Sequence, residues 1–201
     1  MKDKTVLFPG SFNPMHMGHL ALANYVCECM DEVKELWFMV SPHNPLKEQN
    51  HLLPDELRKA WVKSAIAGYP RFALSLVEDT LPRPSYTLHT IRALKQSHPE
   101  RSFVLLVGTD NLEQLPRWYG ISDLLAEIEI WVYPRPGYSG EVPAELNHLA
   151  HGIQLIDAPM MEISSSFVRE SLRKDRVIPY FLPATVSEEL FEQVVSWLKR
   201  G

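Results

Sequence analysis

The sequence predicts a three-layer α/β domain on a mostly parallel central sheet, and three observations predict it. Short apolar runs alternate with amphipathic helical stretches along the chain. One run, Ser102 to Val107 (SFVLLV), is almost wholly apolar, as a strand covered on both faces must be. No internal repeat or low-complexity linker interrupts the alternation, so residues 1–201 are expected to form one domain, with residues 160–201 as its helical C-terminal part.

The chain bears this out in order. Val6 to Phe8 reads as a buried strand, and Pro9, Gly10, Asn13 and Pro14 punctuate a loop after it. From Gly18 onward, Leu20, Ala21, Ala23 and Cys27 have helical spacing. Glu35 to Ser41 is a second strand, and a proline-broken loop from Ser41 to Pro54 ends at Asp55 and Glu56, acids suited to a helix's first turn. The helix that follows is read as burying Leu57, Trp61 and Ile66 and stopping before Gly68 and Pro70. Phe72 to Val77 is a third strand, and the stretch Pro82 to Pro99 holds a loop and a helix with Leu88, Ile91 and Leu94 inward. After the strand at Ser102 come Gly108, Thr109 and Asp110, at the sheet edge where ligands sit in open parallel sheets. A helical turn at Asn111 to Leu115, a short helix at Ile121 to Leu125, and strands at Glu129 to Tyr133 and Ile153 to Ile156 follow; Glu141 to Gly152 shows no clear pattern. Helices after Ser166, with Phe167, Val168 and Leu172 inward, and from Ser187 to Lys199, with Leu190, Val194 and Leu198 four apart, close the chain.

A hydrophobic content of 45% and a charged content of 22% belong to a soluble globular protein. The net charge of -5 argues against a broad basic surface for long nucleic acid, while a local cluster still suffices for a small anion. No run of apolar residues is long enough for a membrane span. The start, MKDKTVLFPGS, has too short an apolar run for a signal peptide, which favours a cytoplasmic location. Cys27 and Cys29, two apart on one helix, point in different directions and read as packing residues rather than a disulfide or metal pair.

Chemistry concentrates in GSFNPMHMGH, Gly10 to His19. A strand, a tight loop with two histidines and a helix N-terminus aimed back at that loop make an anion site. His16 and His19 have three readings: metal ligation, structural hydrogen bonding and phosphate handling. Gly18 favours the last, since a missing side chain lets a ligand approach the helix terminus. The stretch fits neither GxxxxGK[ST] nor GxGxxG, so an ordinary P-loop or NAD-binding domain is not indicated. Ser164, Ser165 and Ser166 stand at a helix entrance, where hydroxyls cap backbone N–H groups. Trp118 can pack in a core or stack on a flat ring.

His16-Met17-Gly18-His19 resembles the (H/T)xGH signature of the nucleotidylyltransferase superfamily. Nearly the whole chain is similar to the bacterial nicotinate-nucleotide adenylyltransferases, through GSFNPMHMGH, PHNPLK (Pro42 to Lys47), PSYTLHTI (Pro84 to Ile91), GTDNL (Gly108 to Leu112), RWY (Arg117 to Tyr119), PRPGY (Pro134 to Tyr138), ISSSFVR (Ile163 to Arg169) and the tail VIPYFLPATVSEEL. The resemblance implies a three-layer Rossmann-like nucleotidylyltransferase fold. It implies that ATP and nicotinate mononucleotide are joined into nicotinate adenine dinucleotide and pyrophosphate, with Mg2+ assisting; no metal-ligating residues are expected in the chain.

By the same resemblance His16, His19, Lys47 and Arg169 would carry the reaction. Gly10, Ser11, Phe12, Gly18, Gly108, Asp110, Ile163 and Ser164 to Ser166 would join them around ATP. Asn13, Lys47, Thr87, Trp118, Tyr119 and Arg135 would bind the mononucleotide, with Trp118 stacked on its ring and Thr87 and the Tyr119 backbone N–H donating to its carboxylate. Two departures stand out: Leu46 where the family often has histidine, and His89 where many relatives carry an acid. Pantetheine-phosphate adenylyltransferase, similar around the HxGH element, and a noncatalytic nucleotide-binding module are the alternatives. The loops from Ser41 to Pro54 and around Trp118 are expected to close over substrates. A homo-oligomer is left open.

Overall fold

Side chains alternate faces along a strand, and the apolar runs of this chain use both. Val6, Phe8, Leu36, Phe38, Val104, Leu106 and Trp131 gather in one core, and Leu7, Met39, Leu105, Val107, Ile130 and Val132 in another. Two cores back to back demand a sheet covered on both sides. In the structure, a computed structural model that describes residues 3–41 and 52–200, that sheet has six strands. They are β1 (Lys4–Gly10), β2 (Val33–Val40), β3 (Phe72–Ser75), β4 (Ser102–Gly108), β5 (Glu129–Tyr133) and β6 (Ile153–Leu155), in the order β3-β2-β1-β4-β5-β6 and parallel at every pairing.

Helices α1 (Met17–Cys29), α2 (Asp55–Ile66), α6 (Ser165–Arg173) and α7 (Glu188–Arg200) supply residues to the first core. Helices α3 (Thr87–Ser97), α4 (Thr109–Leu112) and α5 (Ile121–Glu127) supply the second. This is the Rossmann-like arrangement, and the strand order reverses between β1 and β4, the switch point where such sheets leave a crevice. Pairing of β1 with β4 stops at Leu7 and Leu105, so beyond it the two strands part.

Several elements depart from expectation. β1 runs through Pro9 to Gly10, because past Leu7 it pairs only with β2 and a residue without an N–H is tolerated there. β3 stops at Ser75, and Val77–Thr80 is a 3-10 turn. Residues Ala144–Gly152, where the sequence shows no pattern, are a run of 3-10 turns. Along α2 the inward position is filled by Arg58 rather than by Leu57, which is only half-buried. Phe167 is exposed instead of buried: α6 turns Val168, Ser171 and Leu172 inward, and Phe167 packs at the surface against Phe181, ring centroids 5.1 Å apart. Cys27 is buried and Cys29 exposed, both unbridged. Among the described residues no helix is long and apolar enough to cross a membrane.

Candidate active site

The crevice between the ends of β1 and β4 is two adjoining clefts. The larger, about 430 Å3, is walled by the loop after β1 and the first turns of α1 and α6. The smaller, about 270 Å3, opens beside the start of α3 and the Arg117 to Tyr119 segment. Pro9, Gly10, Ser11, Ser41, Asn111 and Tyr133 line both, so the clefts share one wall.

Backbone strain and close packing shape that wall. Phe12 sits at φ 41°, in the left-handed region that costs a residue with a Cβ about 1–2 kcal/mol. Its ring packs edge-on against Phe8, Phe38 and His19. A Cβ on Gly10 would lie 2.8 Å from that ring, so the aromatic side chain can occupy this place only beside a glycine. Trp61 Nε1 donates to the Met15 carbonyl at 2.9 Å, holding the loop from behind. Arg58, fully buried, does more: Nη1 donates to the carbonyls of Ser11 at 2.7 Å and Ser41 at 2.9 Å, Nε to that of Leu53 at 3.0 Å, and Nη2 pairs with Asp55 at 2.5 Å. One guanidinium thus ties the shared wall to the start of α2, where charge-assisted bonds are strong.

His16 is the N-cap residue of α1, and its backbone N–H donates to His19 Nδ1 at 3.2 Å. Neutral imidazole carries one proton, so with Nδ1 accepting, the proton of His19 sits on Nε2, and the residue lines the larger cleft. The two imidazoles stack with centroids 3.8 Å apart. Burial, reinforced by nearby Arg135, pushes His16 down to about 4, so it is neutral near pH 7; its Nδ1 is buried with no hydrogen-bond partner among the described residues. Gly18 has a nearer reason than ligand approach: a Cβ there would meet His16 Nδ1 at 3.1 Å. The missing side chain makes room for the imidazole.

Opposite α1 stands the entrance of α6. Ser164 caps it, accepting from the Phe167 N–H at 3.2 Å, and Ser165 Oγ donates to the Pro14 carbonyl at 3.0 Å. Arg169 Nη1 donates to the Asn13 carbonyl at 2.8 Å and Nη2 to Ser166 Oγ at 3.1 Å. These bonds dock α6 onto the histidine loop, so two helix N-termini and Arg169 face one cleft. On its third side Arg135 pairs with Asp110 at 3.4 Å, and the Arg135 N–H donates to Thr109 Oγ1 at 2.9 Å. A Cβ on Gly108 would lie 2.4 Å from Asp110 Oδ1 and 2.6 Å from Arg135 Cδ, so any other residue there would displace that pair.

The structure thus brings Gly10, Ser11, Phe12, His16, Gly18, His19, Asp110, Ile163, Ser164, Ser165, Ser166 and Arg169 to the larger cleft. Thr87, Trp118, Tyr119 and Gly108 line the smaller one. Asn13 and Arg135, expected with the mononucleotide, lie on the larger cleft. Lys47 and Leu46 lie outside the described residues. Trp118 is half-buried against the second core and also lines the smaller cleft.

Sequence reading missed Arg58, Asn111, Tyr133 and Glu78. Arg58 could have been noticed only through its spacing from Asp55, because an arginine on an amphipathic helix normally reads as solvated. Asn111 was visible one residue past Asp110. Tyr133 and Glu78 gave no signal, since each reaches the clefts through the ending of a strand or a 3-10 turn.

Known proteins resemble this architecture along nearly its whole length. The cytidylyltransferase-like family model matches residues 7–171. A Bacteroides fragilis protein named a probable nicotinate-nucleotide adenylyltransferase is 49% identical over 97% of this chain and 94% of its own. A Porphyromonas gingivalis protein with the same name is 43% identical over 92% of each chain. Among solved structures, nicotinic acid mononucleotide adenylyltransferase of Plasmodium falciparum complexed with NaAD superposes with a TM-score of 0.74 over 97% of this chain and 96% of its own; at 16% identity it shows the fold.

Proposed function

The chain belongs to the nicotinate-nucleotide adenylyltransferases, within the HxGH, cytidylyltransferase-like superfamily, and from that premise we propose that it transfers the adenylyl group of ATP to nicotinate mononucleotide, releasing pyrophosphate, in NAD biosynthesis. The observation that carries the reading is the shared wall: two clefts of nucleotide size meet at Gly10 and Ser11, so two phosphates held in them can come together.

The chemistry asks for little beyond that. The phosphate of the mononucleotide is already an anion near neutral pH; it attacks the α-phosphorus of ATP while the bond to the β-phosphate breaks and pyrophosphate leaves. Alignment and compensation of charge on the phosphoryl oxygens are what the protein must supply. His19 Nε2–H donates to those oxygens without giving up its proton, and neutral His16 holds His19 in place through its N–H and its stacked ring. Arg169 and the N-termini of α1 and α6 compensate the leaving pyrophosphate, a task the family resemblance also gives to Lys47. Thr87, at the start of α3, and Trp118 hold the pyridine ring of the acceptor.

Among the described residues no three His, Cys, Asp or Glu side chains are grouped to hold a metal ion, and Asp110 is the single carboxylate on the larger cleft. That donor set fits Mg2+ bound mainly by the nucleotide's own phosphates, with Asp110 within the same cleft. When bound, the ion would neutralise phosphate charge and orient the leaving group.

The test is acceptor choice. Incubated with ATP and Mg2+, the protein is expected to convert nicotinate mononucleotide to nicotinate adenine dinucleotide and to leave pantetheine phosphate untouched. A pantetheine dinucleotide without a nicotinate product would overturn the reading, and binding of ATP with no turnover of either acceptor would favour a noncatalytic module.

A further inference from the structure

The smaller cleft contains a carboxyl group that the reaction does not call for. Glu78 lies half-buried in the 3-10 turn after β3 and lines this cleft together with Thr87 and Trp118. Among the described residues no cation pairs with it. Its polar neighbour is Thr90, fully buried one turn along α3 from Thr87, whose Oγ1 is 3.3 Å from Glu78 Oε1 and 3.4 Å from the Tyr86 carbonyl.

Thr90 has one hydrogen and two acceptors in reach, so an ionised Glu78 and the Tyr86 carbonyl compete for it. If Glu78 carries its own proton the conflict disappears: the acid donates to Thr90 Oγ1, and Thr90 donates to Tyr86. A carboxylate on the pyridine ring, bound in the same cleft, adds a second reason for neutrality, because two carboxylates in one pocket disfavour each other's charge.

On the reading of this cleft as the acceptor site, we propose that Glu78 is a specificity-determining residue that must be neutral when the nicotinate mononucleotide is bound, and that in its ionised form it tilts the pocket toward the uncharged nicotinamide ring. Burial first, then the charge of Asp79, raises Glu78 to about 6 against the opposing Thr90 bond, which puts the change near physiological pH. The other groups around it do not reproduce this. Asp79 is paired with Lys59 of α2 at 2.6 Å, and Arg117 on the far wall bonds Gln114. Tyr86 and Tyr119 stack on one another at the rim, with His89 edge-on to both.

The experiment measures kcat/KM for nicotinate and nicotinamide mononucleotides, in parallel, from about pH 5.5 to about pH 8, in the wild type and in Glu78→Gln. Both acceptors carry the same phosphate, so the ratio of the two values cancels its titration and that of the larger cleft. The nicotinate-to-nicotinamide ratio in the wild type is expected to fall at least about tenfold from about pH 6 to about pH 8. In Glu78→Gln, whose amide stands in for the neutral acid, it should change by less than about twofold and stay high. A flat ratio in the wild type, which needs no variant, overturns the proposal, as does a wild-type slope that persists in Glu78→Gln. Turnover of neither mononucleotide would overturn the acceptor-site reading itself, an outcome distinct from turnover without a slope.

Discussion

The two clefts are built differently. The larger is fixed from behind by buried and half-buried hydrogen bonds, Trp61 to Met15, Arg169 to Asn13 and Ser165 to Pro14, and shares with the smaller the wall that Arg58 holds through Ser11 and Ser41. The smaller has a more exposed rim, with Tyr119 56% exposed and Tyr86 38% exposed and their rings stacked on one another. The contrast matches the tasks assigned to them. Phosphoryl transfer depends on donors fixed before charge develops, whereas an acceptor pocket has to admit and release its occupant. Changes in the larger cleft should therefore act on kcat and on stability, and changes in the smaller on acceptor KM.

The largest expected effect is on turnover. His19→Ala should lower kcat by about 10²–10³ while circular dichroism stays that of the wild type; activity within about threefold of the wild type would remove His19 from its assigned role. Next comes stability. Arg58→Ala strands three carbonyls and Asp55 and should cost about 3 kcal/mol or more in urea unfolding, against less than about 0.5 kcal/mol for Arg117→Ala on the exposed rim. Equal costs would contradict the assignment of Arg58 as the brace of the common wall, as against an unbraced outer rim.

The pH dependence of folding separates the clefts by sign. His16 is depressed from 6.5 to about 4, so between those values the unfolded chain binds more protons. Its contribution is fully present above about pH 6.5 and is lost as pH falls toward about 4, on the order of 3 kcal/mol in total. Glu78, raised from 4.5 to about 6, works the other way: the folded chain binds more protons there, and stability is lost as pH rises through that window. Unfolding free energies across this range should show a shallower acid-side loss in His16→Asn and a steeper one in Glu78→Gln. The smallest effect is Trp118→Ala, expected to raise acceptor KM about tenfold with ATP KM unchanged.

Much of this was legible because periodicity and glycine or proline punctuation are local. SFVLLV could only be an inner strand, and GSFNPMHMGH announced a strand, loop and helix in ten residues. What stayed hidden was set by tertiary position. Arg58 occupies an inward helical place that sequence patterning assigns to Leu57, because the carbonyls of Ser11 and Ser41, distant in the chain, converge there with that of nearby Leu53. Phe167 fails as a core residue for the converse reason: apolar and helical, it faces Phe181 at the surface. Gly18 lines the larger cleft as expected, and a Cβ there would also crowd the His16 ring at 3.1 Å, a second demand for space that the sequence did not show. The division of Asn13 and Arg135 from Thr87 and Trp118 between two clefts depends on how β1 and β4 part, which no linear motif encodes.

The most direct measurement is a crystal structure of the protein with a non-hydrolysable ATP analogue and nicotinate mononucleotide together. The polyphosphate is expected in the larger cleft against His19 and Arg169, the pyridine ring against Trp118, and the mononucleotide phosphate at Gly10 and Ser11, in line with the α-phosphorus. A polyphosphate lodged beside Trp118, or a mononucleotide phosphate away from the common wall, would contradict the account.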